Sequence, residues 1–384
     1  MRTRTIFLVA VVTASLADGS VRSQQADVSL LESQRRSMAL RFALPEDPPK
    51  EEDYLTKDVR NRYPGTFGVD LNYWRFAIAN DDPTCKTESG FKSDKCSCKM
   101  NWTAVTSNEL RYVYLTATDT DSPTMAPNGV DLSFGKLWDD LGQEPLSKAL
   151  LRGAYHFLRP NTDAATQANV FLKAIVAVDG KRPTQLAPVL DMEWADVNMD
   201  QGKPQHEEYK NCTHQKPRKD KHGKVIGYDC DTWAEYNMSG REIAALAGEW
   251  IKRVEGATGL RVTIYTHAKW WHDVMKMEGT DLLTNRAIWI SYPSSQKGGP
   301  SYDGWNGGPK WKMPPFPGGL VYTNPYSLAH FWQFSSVGGL KPFPLTCNGK
   351  PTTKILDLNW TPVSGAEFER LFDVQPKLNM HPKQ

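Results

Sequence analysis

The sequence predicts an α/β fold, an irregular TIM-like (β/α)8 barrel with long loop insertions at the C-terminal face of its strands. Three observations predict it. Eight short β-rich runs recur between Phe67 and Asn359, the number that closes a parallel α/β barrel. Amphipathic helical stretches separate some of these runs. Acids and amides stand on several of the runs, where a barrel packed only for stability would carry Val, Ile and Leu.

The runs are Gly68–Tyr73, Tyr112–Thr118, Gly153–Phe157, Pro188–Glu193, Val262–Thr266, Ala287–Tyr292, Phe331–Ser335 and Ile355–Asn359. Asp163 to Val178 reads as a helix, with Ala164, Ala168, Phe171, Leu172 and Ile175 on its inner side. A capping box, Ser239-Gly240-Arg241-Glu242, starts another, whose apolar face is Ile243, Leu246, Ala247, Trp250, Ile251 and Val254. Between the first two strands, and after the sixth, long loops are expected in place of helices. Insertions at Asp81–Asn101, Ala195–Tyr236 and Pro293–Tyr326 follow strand ends and would crowd the face where barrel sites form.

A formal net charge of +2 over 384 residues gives no global attraction to nucleic acid or an anionic membrane. The basic run Lys216–Lys221 reads as a solvated face, with an anionic polymer as the alternative partner. Arg2 and Arg4 precede the apolar run Ile6–Val12, and Ser15-Leu16-Ala17 suits a cleavage site, so residues 1–17 read as a signal peptide. An uncleaved anchor is the alternative. Residues 18–64 read as a polar, flexible arm, 65–374 as the barrel and 375–384 as a tail. No stable membrane insertion is expected, and the chain is expected to be a monomer.

Export suits an even set of six cysteines, Cys85, Cys96, Cys98, Cys212, Cys230 and Cys347. Cys212 with Cys230 is the preferred pair, since both lie in one polar insertion. The first three are expected to share a second bridge locally, and one of them to reach Cys347. A zinc site at Cys212, His214, His222 and Cys230 fits no standard spacing. Asn101, Asn211 and Asn237 fit the glycosylation pattern, close to chance for this length.

The chemistry is concentrated in Leu190-Asp191-Met192-Glu193-Trp194. Strand side chains alternate, so Asp191 and Glu193 share a face with Cα atoms roughly 6.5–7 Å apart. Like charges that close raise one pKa, so one group keeps a proton while the other stays anionic. Glycosidic cleavage needs that division. Val69-Asp70-Leu71-Asn72 is nearly repeated as Leu356-Asp357-Leu358-Asn359. If first and last strands are neighbours, Asp70 and Asp357 sit side by side, and four carboxylates line one mouth. Mg²⁺ or Ca²⁺ would suit such oxygens. Nearby Tyr155, Tyr265, Trp289, Tyr292 and Trp332 suit sugar faces better. No metal and no cofactor are expected.

On these residues the chain resembles the glycoside hydrolase family 25 muramidases, the Chalaropsis-type lysozymes. The resemblance rests on Gly68-Val69-Asp70, Gly153-Ala154-Tyr155-His156-Phe157, Pro188–Glu193, Ile264-Tyr265-Thr266, Ile288-Trp289-Ile290, Trp332-Gln333-Phe334-Ser335-Ser336 and Asp357-Leu358-Asn359. It implies an irregular β/α barrel that cleaves the β-1,4 bond between N-acetylmuramic acid and N-acetylglucosamine in peptidoglycan. It also implies Glu193 as general acid/base, Asp191 as its orienting or stabilising partner, and Asp70 and Asp357 as further acids at the mouth. Tyr155, Phe157, Tyr265, Trp289, Tyr292, Trp332 and Gln333 then bind the glycan. The second strand departs from the family pattern: Thr116-Ala117-Thr118-Asp119-Thr120 lacks the usual lysine and carries a shorter acid. Two other readings stand beside this one. A chitinase-like enzyme also ends a strand in Asp-x-Glu, and a catalytically silent scaffold could bind glycan or act as an effector.

Overall fold

The structure is a computed structural model that describes residues 65–71, 98–120, 129–131, 133–178, 185–198, 212–219, 223–283, 286–291, 331–338, 345–347, 350–352, 356–361 and 368. The expected signal peptide, arm and tail lie outside these residues. So do the Pro293–Tyr326 insertion, Cys85, Cys96, His222 and Tyr292.

In chain order the strands are β1 (Thr66–Leu71), β2 (Cys98–Met100), β3 (Tyr112–Asp119), β4 (Leu151–Phe157), β5 (Val189–Met192), β6 (Val197–Asn198), β7 (Gln215–Lys219) and β8 (Val225–Cys230). Then come β9 (Thr263–His267), β10 (Ile288–Ser291), β11 (Phe331–Gly338), β12 (Leu345–Cys347), β13 (Lys350–Thr352) and β14 (Leu356–Thr361). The helices are α1 (Trp102–Ser107), α2 (Phe134–Gly142), α3 (Leu146–Ala149), α4 (Ala164–Val178), α5 (Thr232–Glu235), α6 (Gly240–Thr258) and α7 (Ala268–Asp273), with a 3₁₀ turn at Thr280–Leu283.

Each of the eight expected runs forms a strand, and together they close a ring in the order β1-β14-β11-β10-β9-β5-β4-β3. Seven of them curl as a parallel sheet, but β14 runs antiparallel to both β1 and β11. The regular (β/α)8 repeat is therefore corrected to a mostly parallel ring closed by one reversed strand. The reason lies in the link from β11 to β14. It holds β12 and β13 and no helix among its described residues, and a parallel return would need a crossover. A second correction concerns the first connection, where α1 replaces the expected loop. Asn101 caps it, its side chain accepting from the Ala104 amide at 3.2 Å.

The barrel interior is aromatic. Tyr112 and Tyr114 point in from β3 and pack with Trp289 and Phe331. Their neighbours across the ladder are glycines: Gly68 pairs with Tyr112, and Gly153 with Tyr114. A Cβ at either glycine would fall 2.3 Å from the tyrosine ring beside it, so only glycine fits. Outside the sheet, α4 and α6 bury the faces expected of them. Ala164, Ala168, Phe171 and Ile175 are enclosed on α4; Ile243, Ala247, Trp250, Ile251 and Val254 on α6. Leu172 and Leu246 are half-buried. The α6 capping box is formed in both directions, and Gly259 ends the helix at φ 70°, a left-handed cap. No described helix is long and apolar enough to cross a membrane.

Candidate active site

The ladder around the ring fixes the neighbours of each acid. Asp70 pairs with Asp357 on one side and Tyr114 on the other. Opposite, Asp191 pairs with Phe157 and Tyr265. The reversal of β14 is what brings Asp357 to this mouth, because it lies near the start of its strand while Asp70 and Asp191 lie near the ends of theirs. A parallel β14 would have put Asp357 at the opposite rim.

Donors converge on Asp70. Asn359 Nδ2 gives its Oδ1 a hydrogen bond of 2.6 Å, and Gln333 Nε2 one of 3.1 Å. Gln333 Oε1 in turn accepts from Tyr265 Oη at 3.0 Å and Ser291 Oγ at 2.7 Å. Trp289 Nε1 donates to Asn359 Oδ1 at 3.0 Å. The chain of donors orients both amides toward Asp70, as suits an acceptor carboxylate.

Asp191 has a different setting. It is 6% exposed, and its Oδ1 meets no hydrogen-bond donor among the described residues. Burial pushes its pKa well above the ordinary carboxylate range, and the charges of Glu193, Asp70 and Asp119 add to the push, while Arg159 opposes it. Glu193, one residue past the end of β5, is half-buried. The phenols of Tyr155 and Tyr265 are raised well above their usual value, first by burial and then by the mouth acids: Asp70, Asp191 and Asp357 act on Tyr155, and Glu193, Asp191 and Asp70 on Tyr265. Asp70, Asp191 and Asp357 all act on Tyr155, and Asp191 keeps its proton to higher pH than an ordinary carboxylate.

The other expected glycan contacts divide. Phe157 is half-buried with the Arg159 guanidinium 4.4 Å above its ring, and Tyr155, Tyr265 and Gln333 are buried at the mouth. Trp289 is corrected from an open stacking surface to a core residue. It is 1% exposed, and Tyr114, Tyr265 and Phe331 surround its ring. Trp332 is described as backbone in β11, paired with Ile290 and Trp360.

Several contributors were not singled out as site residues from sequence. Asn359 holds Asp70, and Ser291 holds Gln333. Asp119, read only as a shortened acid, forms a buried two-point pair with Arg159, Nε to Oδ1 and Nη2 to Oδ2, both 2.8 Å. Arg159 follows the Tyr155-His156-Phe157 motif closely enough that its partner could have been sought at the end of the adjacent strand. Behind them His156 is buried and neutral. Gln167 gives its amide hydrogens to the Arg159 and Thr162 carbonyls, so its oxygen accepts from His156 Nε2 at 2.9 Å, and Nδ1 accepts from Thr118 at 2.7 Å. In the polar insertion the expected bridge is present: Cys212 and Cys230 form a disulfide at the base of the β7–β8 hairpin, which removes both thiolates from any zinc site. Backbone pairing also sets Cys98 opposite Cys347.

The fold defines a class, an α/β barrel that carries buried acids near several of its strand ends. The family model described as glycosyl hydrolases family 25 matches residues 95–341, more than half of the chain, and the chain belongs to that family. An uncharacterised Escherichia coli K12 protein, YegX, is 24% identical over 195 residues, which are 50% of this chain and 52% of that protein. The chain therefore spans about half the length of the curated relatives it matches. A family 25 glycosyl hydrolase from Bacillus anthracis aligns at 16% identity and a TM-score of 0.48, covering 85% of this chain and 100% of that one. The bacterial lysozyme from Streptomyces coelicolor aligns at 18% identity and a TM-score of 0.44, covering 80% and 97%.

Proposed function

We propose that this protein is a secreted muramidase that hydrolyses the β-1,4 bond between N-acetylmuramic acid and N-acetylglucosamine in peptidoglycan. The observation that carries the reading is the buried Asp191 beside half-exposed Glu193 at one strand end, in a chain of family 25. The pair enters the reaction with one shared proton. Glu193, the member open to the mouth, delivers it to the leaving glycosidic oxygen as the C1–O bond breaks. Positive charge developing at C1 is offset by the carboxylate charge this leaves on the pair, with Asp191 as the stabilising partner. Water then adds at C1, and Glu193 takes the proton back. Asp70 and Asp357 complete the mouth, and Tyr155, Phe157, Tyr265 and Gln333 line the glycan path. Glycan strands are the partner; a monomer without nucleic acid, membrane or cofactor is sufficient for this chemistry. The Cys212–Cys230 disulfide suits an exported protein.

Digestion of purified peptidoglycan by the oxidised protein tests the reading. New reducing N-acetylmuramic acid ends are expected, and Glu193→Gln should lower their rate of appearance by about 10²–10⁴-fold. Binding to wall glycan with no new ends, by the wild-type protein, would replace the muramidase with a silent glycan-binding scaffold.

A further inference from the structure

The backbone that carries Glu193 leaves the sheet before the acid is reached, since β5 ends at Met192. Among the described residues no ladder pair of the barrel includes Glu193. The polar insertion holds this segment at four consecutive residues. Trp233 Nε1 donates to the Glu193 carbonyl at 3.0 Å. Lys216 Nζ lies 4.5 Å from the centre of the Trp194 ring. Thr232 Oγ1 donates to the Ala195 carbonyl at 2.5 Å, and Arg159 Nη1 reaches the same oxygen at 3.2 Å. Lys216 also meets the Asp196 carboxylate at 3.4 Å and that of Asp231 at 2.7 Å. Beyond this, Val197 and Asn198 pair with Cys230 and Asp229 as β6 against β8. The disulfide stands directly before Asp231-Thr232-Trp233, so it ties the start of the hairpin to the segment that carries the two donors.

We infer that the insertion, with α5 directly after its hairpin, is a positioning element for Glu193, in which Thr232 and Trp233 of α5 hold the carbonyls on either side of Trp194 and so aim the acid. This rests on the reading of Glu193 as the general acid. Neither residue touches substrate in this scheme; both act through the backbone. The two grips differ in strength of backing. The Ala195 carbonyl has a second donor in Arg159, itself locked by Asp119, whereas the Glu193 carbonyl has Trp233 as its side-chain donor. The buried Ala195 carbonyl keeps Arg159 when Thr232 is lost but gives up one of its two anchors, and the part-buried Glu193 carbonyl gives up its Trp233 donor, so either loss loosens the backbone around Glu193.

Full-length, disulfide-bonded Thr232→Val, Thr232→Ser and Trp233→Phe proteins test the inference through two readouts. On purified peptidoglycan, Thr232→Val and Trp233→Phe should lower kcat about ten- to 100-fold with little change in KM, the scale of a misplaced catalytic group. In protein labelled with ¹³C at the aspartate carboxyls, the Asp191 signal, assigned through Asp191→Asn, should titrate at a pH displaced from wild type, because its distance to Glu193 has changed. Thr232→Ser keeps the donor and should restore both readouts. A merely structural brace would lower thermal stability in the Val and Phe variants and leave kcat and the titration unmoved, which overturns the inference. Serine performing no better than valine overturns it too. If the wild-type protein cleaves no wall glycan, the muramidase reading fails separately. The Asp191 titration then still decides whether the insertion sets the place of the Glu193 carboxyl.

Discussion

Asp70 and Asp191 share one mouth but not one environment. Two amide donors fix the first, while the second is enclosed with an oxygen that meets no donor among the described residues. Separating neighbouring carboxylates in this way assigns them different protonation states at one pH. The pair spacing was legible in Asp191-Met192-Glu193, because strand alternation is a local property. Which member would be walled off was not, since the wall comes from β4 and β9. Glu193→Gln tests the coupling. Asp191 would then face no anionic neighbour at that position, so it should lose its proton at lower pH. Its ¹³C carboxyl signal, in protein labelled at the aspartate carboxyls, should titrate on the acid side of wild type. An unmoved signal would mean that the two carboxyls titrate independently.

Among the elements, α6 was the most readable and α1 the least. The first has a capping box and a sustained apolar stripe over nineteen residues. The second is six residues, Trp-Thr-Ala-Val-Thr-Ser, rich in β-branched side chains that lower helix propensity. Its one local signal is Asn101, a preferred cap that also falls in a chance-level glycosylation pattern. For α6, Ser239→Ala removes the acceptor of the Glu242 amide and one of the two donors to the Glu242 carboxylate, leaving the Ser239 amide bond in place. A loss of about 1 kcal/mol in urea-induced unfolding is expected. The glycines opposite Tyr112 and Tyr114 belong at this scale as well: strand alternation shows which way they point, but the need for them is visible only when adjacent strands are paired.

For the whole molecule, buried titratable groups bound the stable pH range from both sides. Burial lowers the pKa values of His156 and His267 from 6.5 to about 4, so both are neutral in the fold. Their contribution is complete above 6.5 and is lost as pH falls toward about 4, where folded histidines must take up protons. Asp191 acts in the opposite sense. Its raised pKa favours the fold at low pH, and the benefit is lost as rising pH ionises the buried carboxyl. Thermal unfolding across pH should therefore show falling stability from about pH 6.5 downward. His156→Gln should flatten that slope while leaving the His267 share. An unchanged slope would show that His156 is not neutral by burial.

Local pattern by itself determined the eight strands, the two long helices, the acid pair and the Cys212–Cys230 bridge, because alternation, helical period, capping and close spacing act over a few residues. The tertiary structure decided the rest. It turned β14 around, and so brought Asp357 to the same rim as Asp70. It closed aromatic neighbours over Trp289, and paired Asp119 with Arg159 across forty residues of chain. It also folded a polar insertion back onto the strand that carries Glu193. Each of these depends on which strands lie side by side. Sheet neighbours are set by loop length and by the burial of the whole core, and no window of sequence contains that information.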